Sequence, residues 1–387
     1  MTGAYYNKEY RNVFLELGYP EKEIKDKVEQ TFNTMFFGSD DERIYHEVGD
    51  DMGYIVDTGN NDVRSEGMSY GMMMCVQMDK KEEFDRLWKW ARTYMYHEEH
   101  SDQKGYFAWS CELNGEKRFQ GAAPDGEEYF VMALFFAAKR WGNGEGIFNY
   151  EAQAQQILHD CVHKGEKGNP GYPMWDPKTK LIKFTAELPF TDPSYHIPHF
   201  YELYALWSRE EDREFWKEAA KASRAYLKRA CNSVTGLSPE YSEMDGNPLV
   251  KSWPGDYRRD LYYSDSYRTI ANIAMDYAWF TQDMNREDDW HCEIADKLQY
   301  FFCNTAKHCQ DGIYEIDGRI IPGKALHPVA IIATNAQASL AAKGPYREEC
   351  VRKLWETPLR TGDRRYYDNC LYFFALLALS GNYRIYM

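Results

Sequence analysis

The chain lacks several things that would each have pointed somewhere definite. It has no long apolar run: the longest, LYFFALLAL at 371–379, is about half of the roughly 20 residues a membrane-spanning helix needs. With a mean hydropathy of −0.69, no membrane partner is expected. The opening MTGAYYNKEYR has no basic start, apolar stretch or small-residue cleavage site, so a cytoplasmic protein is expected. The nine cysteines stand singly, their number is odd and no CxxC occurs, which reads as reduced thiols. HIPH at 196–199 sets two histidines at i, i+3, with no third ligand suggested, so no metal site is expected. There is no G-x-S-x-G elbow, phosphate loop or G-x-G-x-x-G, and no cofactor is expected. Basic residues are also short: 46 Lys+Arg against 61 Asp+Glu leave a net charge of −15, which repels nucleic acid and anionic lipid.

What the chain has in excess is aromatic side chains, 16% of its 387 residues. They fill cores, and they also make flat apolar faces with polar edges that suit sugar rings. Apolar periodicity predicts twelve helical segments near 21–37, 66–79, 81–97, 127–141, 150–163, 193–208, 210–231, 264–280, 287–306, 327–341, 345–355 and 366–380. Strand signals are weak and confined to connections such as LIKFTAEL (181–188). Amphipathic segments such as EKEIKDKVEQTFNTMFF alternate with segments almost free of charge, such as MSYGMMMCVQM and YFVMALFFAA. The first kind has one face in water and the second kind is buried.

The connections rhyme too. GYIVD, GYFAW, GYPMW, GLSPE and GIYEI begin at 53, 105, 171, 236 and 312, a pattern that suggests left-handed glycine caps past helix ends. Each connection then reaches a polar residue opening a buried segment: Glu66, Asp125, Asp192, Asp265, His327 or Asp368. Spacings of 52 to 76 residues are too uneven for an open solenoid. The expectation is an all-α protein, a single (α/α)6 barrel domain over 1–387 with six inner and six outer helices. All inner N-termini then gather at one end, with the loops that carry function.

An acid at a helix start can be only a cap, and Asp125 with Glu128 fits a D-x-x-E capping box. Three contexts suggest more. Glu66 sits in RSEGMSYG, where Gly67 and Gly71 each cost roughly 1 kcal/mol of helix propensity. Asp265 sits among hydroxyls in LYYSDSYR, and Asp125 follows the small-residue loop FQGAAP. Acids converging on an aromatic-lined lip suit glycoside hydrolysis, with one carboxylic acid protonating the leaving oxygen and one carboxylate activating water.

The stretches EVGDDMGYIVDTGNNDVRSEGMSYGMMM, GYFAWSC, APDGEEYF, DPSYHIPHFYELYALW, SDSYR, LHPVAIIATNA and RTGDRRYYDNCLYFFALLALSGN resemble glycoside hydrolase family 8 over nearly the whole chain. They look most like its members that release xylose from the reducing end of short β-1,4-xylooligosaccharides. That resemblance implies an (α/α)6 barrel and an inverting mechanism, with Glu66 as general acid and Asp265 as general base. It also implies that Asp125 binds and distorts the sugar, that Tyr195 holds the attacking water, and that the Leu326-His327-Pro328 loop closes the aglycone end. Trp109 is a candidate stacking platform. The loop at 243–263 has no residue-by-residue match. Two other readings stay open: an endo-acting member cutting xylan, β-glucan or chitosan, and a non-catalytic helical sugar-binding scaffold.

Overall fold

The computed structural model describes residues 2–99, 101–166, 168–250, 257–281 and 289–387. Part of the unmatched 243–263 loop and the first residues of the ninth expected segment lie outside them. Among the described residues, twelve helices have ten residues or more: α1 (Glu21–Phe37), α2 (Ser65–Gln77), α3 (Lys81–Trp90), α4 (Pro124–Trp141), α5 (Tyr150–His163), α6 (Pro198–Trp207), α7 (Arg213–Ala230), α8 (Tyr267–Phe280), α9 (Trp290–Tyr300), α10 (Pro328–Gln337), α11 (Arg347–Glu356) and α12 (Arg365–Leu379). No described helix is long and apolar enough to cross a membrane.

The even-numbered helices form the inner ring. Each packs on the next, α2 on α4, α6, α8, α10 and α12 in turn, and α12 closes back onto α2. Each odd-numbered helix from α3 to α11 packs outside the inner helix before it, and α1 covers α12. The expected (α/α)6 barrel is therefore observed. Its two shells follow from the sequence patterns. In α7, Trp216, Ala219, Ala220, Ser223, Tyr226, Leu227 and Ala230 are buried at i, i+3/i+4 spacing, which leaves the charged face in water. In α12 every residue is buried. In α2 every residue is buried except Glu66.

Several boundaries differ for local reasons. α3 and α9 end in π-helical turns at Ala91–Met95 and Phe301–Thr305, so the apolar period runs past the α-helical ladder. α6 and α8 start later than expected because 3-10 turns, Pro193–Tyr195 and Ser264–Ser266, precede them. LIKFTAEL makes only one isolated bridge, Trp175 to Ile182; the nearby strand is Phe190–Thr191, paired with Ser242–Glu243. The rhyming glycines are not helix caps. Gly105, Gly171 and Gly236 are left-handed but none directly follows a helix, and Gly53 lies in a strand. At Gly171 a Cβ would stand 2.3 Å from the Asp102 carbonyl oxygen, so close backbone approach explains it better.

Gly71 serves packing. A Cβ there would meet Ile55 Cγ1 at 2.7 Å and Leu87 Cδ1 at 2.9 Å. Gly71→Ala gains about 1 kcal/mol of helix propensity against about 1–3 kcal/mol of overpacking. The expected result is a net loss of up to about 2 kcal/mol in urea denaturation, with activity per folded molecule retained.

Candidate active site

The inner-helix N-termini converge on one arginine. Arg268, in the first turn of α8, is buried. Its Nη1 donates to Glu66 Oε2 at 2.7 Å, Asp125 Oδ2 at 3.0 Å and the Tyr70 hydroxyl at 3.1 Å. Its Nε donates to Ser194 Oγ at 3.1 Å. Its Nη2 lies 3.4 Å from Asp265 Oδ1 and 3.7 Å from Asp192 Oδ2. One planar guanidinium thus faces Glu66 and Asp265, so the facing oxygens are at most about 8 Å apart.

A single cation faces four carboxylates, and burial dominates the acidities of Glu66, Asp125 and Asp192. Burial pushes Glu66 up to about 7; Arg268 opposes the rise, Asp125 and Asp265 add to it, and the Tyr366 bond lowers it. Burial also raises Asp125, and it raises Asp192 well above the usual carboxylate range. The wall around Glu66 is not purely apolar, since Arg268 and Tyr366 both reach its carboxylate. Tyr366 from α12 donates to Oε1 at 2.7 Å, and that bond survives in either protonation state because a hydroxyl donates or accepts. Gly67 makes room for it: a Cβ there would meet the Tyr366 hydroxyl oxygen at 2.8 Å.

Asp125 is not a cap with a capping box. Ala123 is the N-cap, Asp125 Oδ1 accepts from the Gly126 N–H at 2.9 Å, and Glu128 is occupied by the Tyr201 hydroxyl at 2.5 Å. Asp192 is both a cap, accepting from the Ser194 N–H at 2.7 Å, and a member of the cluster. Asp368 caps a neighbour, accepting from Ala330 N–H in α10 at 2.7 Å. Asp265 sits in the 3-10 turn ahead of α8, behind Ser264 at φ 44°. Ser264 is held there by the Tyr367 hydroxyl, which donates to its carbonyl at 3.2 Å.

Glu66, Asp125, Asp265, Tyr195 and Trp109 line one cleft of about 520 Å³, with Phe119, Phe184 and Tyr241 among its walls. Trp109 stacks on Phe119 at 4.8 Å and 15°, and its carbonyl accepts from the Ser65 N–H at 3.0 Å, tying the platform to the start of α2. Tyr195 stacks on Phe184 at 5.9 Å. His327 does not line this cleft. It occupies the N-cap position of α10 without a side-chain cap bond, packs on Tyr367 at 4.9 Å and lies 3.5 Å from Asp368. The HIPH histidines are core residues: burial lowers both to about 3, and His196 is used by Thr191 and Ser223.

Sequence reasoning missed Arg268, Tyr366 and the buried Glu240, which lines the cleft and pairs with Arg259 at 2.9 Å. One signal for Arg268 was available. A cation in the first turn of a helix opposes the dipole, and here it precedes the apolar run TIANIAM.

A closed helical ring, an aromatic-walled cleft at one end and carboxyl groups drawn around one cation define the class as a glycoside hydrolase. Residues 48–381 match glycosyl hydrolases family 8, and the chain belongs to that family. It is 57% identical over 384 residues to the reducing-end xylose-releasing exo-oligoxylanase Rex8A of Paenibacillus barcinonensis, covering 99% of this chain and 98% of that one. It is 55% identical over 386 residues to a reducing end xylose-releasing exo-oligoxylanase of Halalkalibacterium halodurans, covering 99% and 96%. The solved structure of Rex8A complexed with xylose matches with a TM-score of 0.95 at 56% identity over the full length of both chains.

Because the Tyr366 bond lowers the pKa of Glu66, its removal has a defined sign. Tyr366→Phe is expected to move the Glu66 titration, followed by carbon-13 NMR of the carboxyl, to higher pH. Gly67→Ala, which displaces the same hydroxyl, should move it the same way.

Proposed function

We propose that this protein is an inverting exo-oligoxylanase that removes xylose from the reducing end of short β-1,4-xylooligosaccharides. The observation that carries the reading is the pairing of Glu66 and Asp265 across Arg268, in a chain more than half identical to two reducing-end xylose-releasing enzymes along its whole length. In this proposal Glu66 protonates the glycosidic oxygen. A group held near 7 keeps a proton to give at neutral pH and loses it readily. Asp265, whose side chain keeps 25% exposure, takes the proton from a water on the opposite ring face. A separation of at most about 8 Å is compatible with the 6.5–9.5 Å spacing of inverting carboxyl pairs.

Asp125 is positioned to bind the sugar at the cleavage point, Tyr195 to hold the attacking water and Trp109 to stack on a sugar face. His327 would act at the aglycone end. It packs on Tyr367, whose hydroxyl binds the Ser264 carbonyl next to Asp265, which supports a position on the Asp265 side. Arg360 holds this loop by donating to the Leu326 carbonyl at 2.5 Å. The whole chain is proposed to act as one domain. Seven of the nine cysteines are buried, which suits work in a reducing compartment such as the cytoplasm.

Proton NMR of early xylotriose products tests the reading directly: the cleaved β-linkage should yield the α-anomer, with xylose from the labelled reducing end. Retention of configuration, or early release of labelled disaccharide from xylohexaose, would sink it. Glu66→Gln and Asp265→Asn are each expected to lower kcat by at least 10²–10⁴-fold with thermal stability maintained. The acid must be protonated to work, so kcat/KM should fall as pH rises through about 7.

A further inference from the structure

On the outer shell, far along the chain from Glu66 and Asp265, lies a second cluster of chemically competent groups. His159 and His163 stand at i, i+4 on α5, so both imidazoles leave the same helix face, and their ring centroids are 4.2 Å apart. They meet Asp212, at the end of the turn Glu210–Asp212 that leads into α7. Asp212 divides its oxygens between them: Oδ2 lies 3.0 Å from His159 Nδ1 and Oδ1 lies 2.6 Å from His163 Nε2. The Asp212 side chain is 1% exposed, and among the described residues the ion pairs it makes are with these two imidazoles. A buried carboxylate is costly without a compensating charge, which a bound cation would supply.

We propose that His159, His163 and Asp212 form a binding site for one divalent transition metal ion of the zinc class, bridging α5 to the start of α7. The ligand atoms already lie within 4.8 Å of one another. A tetrahedral ion with bonds of about 2.0–2.2 Å sets its ligands about 3.4 Å apart, so the two hydrogen bonds need open by less than about 1 Å. Two imidazoles and one carboxylate suit zinc, whereas calcium and magnesium demand more oxygen ligands. A second observation points the same way. Glu166 Oε1 lies 2.8 Å from His163 Nδ1, so Nδ1 is the nitrogen that donates to Glu166, and Nε2, hydrogen-bonded to Asp212, is the one that would exchange its proton for an ion. This carboxylate–histidine–metal relay is how protein zinc ligands are oriented. The site revises the expectation of no metal: HIPH drew attention in the sequence, while HDCVH at 159–163 carries the ligand geometry.

The ion would be structural, since these residues do not line the cleft. It would take the place of the proton in each imidazole–carboxylate bond and release it to solvent. The test uses the full chain stripped with a chelator and titrated calorimetrically with Zn²⁺, with Co²⁺ absorption reporting the coordination geometry. One equivalent should bind, with a tetrahedral Co²⁺ spectrum and a raised Tm. Glu166→Gln, an exposed change that leaves folding alone, should weaken Zn²⁺ about 10–100-fold. His159→Ala/His163→Ala should abolish binding, and its xylotriose hydrolysis should be unchanged. Cys303→Ser, which breaks the separate cluster of Cys303, His308 and Glu349, should leave the affinity as it was. Absence of saturable binding in the unsubstituted chain, unaltered affinity in Glu166→Gln, or retention of the equivalent in the double variant would overturn the proposal and leave an imidazole–carboxylate staple. None of the three overturning outcomes depends on whether the cleft hydrolyses xylooligosaccharides.

Discussion

Everything at the mouth of the barrel depends on the charge of Arg268 being spent on several partners at once. Its guanidinium reaches Glu66 and Tyr70 on α2, Asp125 on α4, Ser194 and Asp192 in the turn before α6, and Asp265 in the turn before α8. Four consecutive inner-helix starts are thereby tied to one planar group. Burying such a cluster is expensive, and its net gain over an apolar core is small. Removing Arg268 itself, however, would leave buried carboxylates uncompensated, and loss of such a partner commonly costs about 3–5 kcal/mol. The arginine therefore fixes the positions of the acids more than it stabilises the fold.

The same arrangement sets the acidity of Glu66 by opposition. Burial at the floor of a cleft raises it, the neighbouring carboxyls raise it further, and Arg268 and Tyr366 restrain the rise. Without the cation the group would be a permanently protonated core acid, as the fully buried Glu128 is pushed toward being. Without the burial it would be an ordinary surface carboxylate. Gly67 belongs to this balance, because only an absent side chain lets Tyr366 of the last inner helix reach the acid on the first. Barrel closure between α12 and α2 thus bears directly on the acidity of Glu66.

This explains what could and could not be read from the sequence. The ring was legible because burial imposes a period: inner helices lack charge, outer helices confine it to one face, and the order alternates. Glu66, Asp125 and Asp265 were legible because acids at the starts of buried helices are conspicuous, and their places in the cleft agree with that reading. The glycine argument held for Gly67 and failed for Gly71, which makes room for Ile55 and Leu87 in the shell. Spacing gives the helix positions of both glycines but not what lies across from each. Arg268, Tyr366 and Glu240 were hidden for a related reason. Much of their meaning comes from partners far along the chain, 202 residues from Arg268 to Glu66 and 300 from Tyr366 to Glu66, and no local pattern names such a partner.

Asp368 shows how selectivity and architecture share parts. One oxygen caps α10 through the Ala330 N–H, and the other meets Arg360 and faces His327. Arg360 in turn grips the Leu326 carbonyl, so the loop proposed to close the aglycone end is fastened to the contact between α10 and α12. A loop that decides where a sugar chain must stop has to resist the push of a longer chain. Fastening it to a fully buried carboxylate of the inner ring gives it that resistance, where anchorage to surface residues would let it yield. The shape limit proposed for one end of the cleft and the acidity balance of Glu66 consequently rest on the same inner helix, through Asp368 and Tyr366 two residues apart.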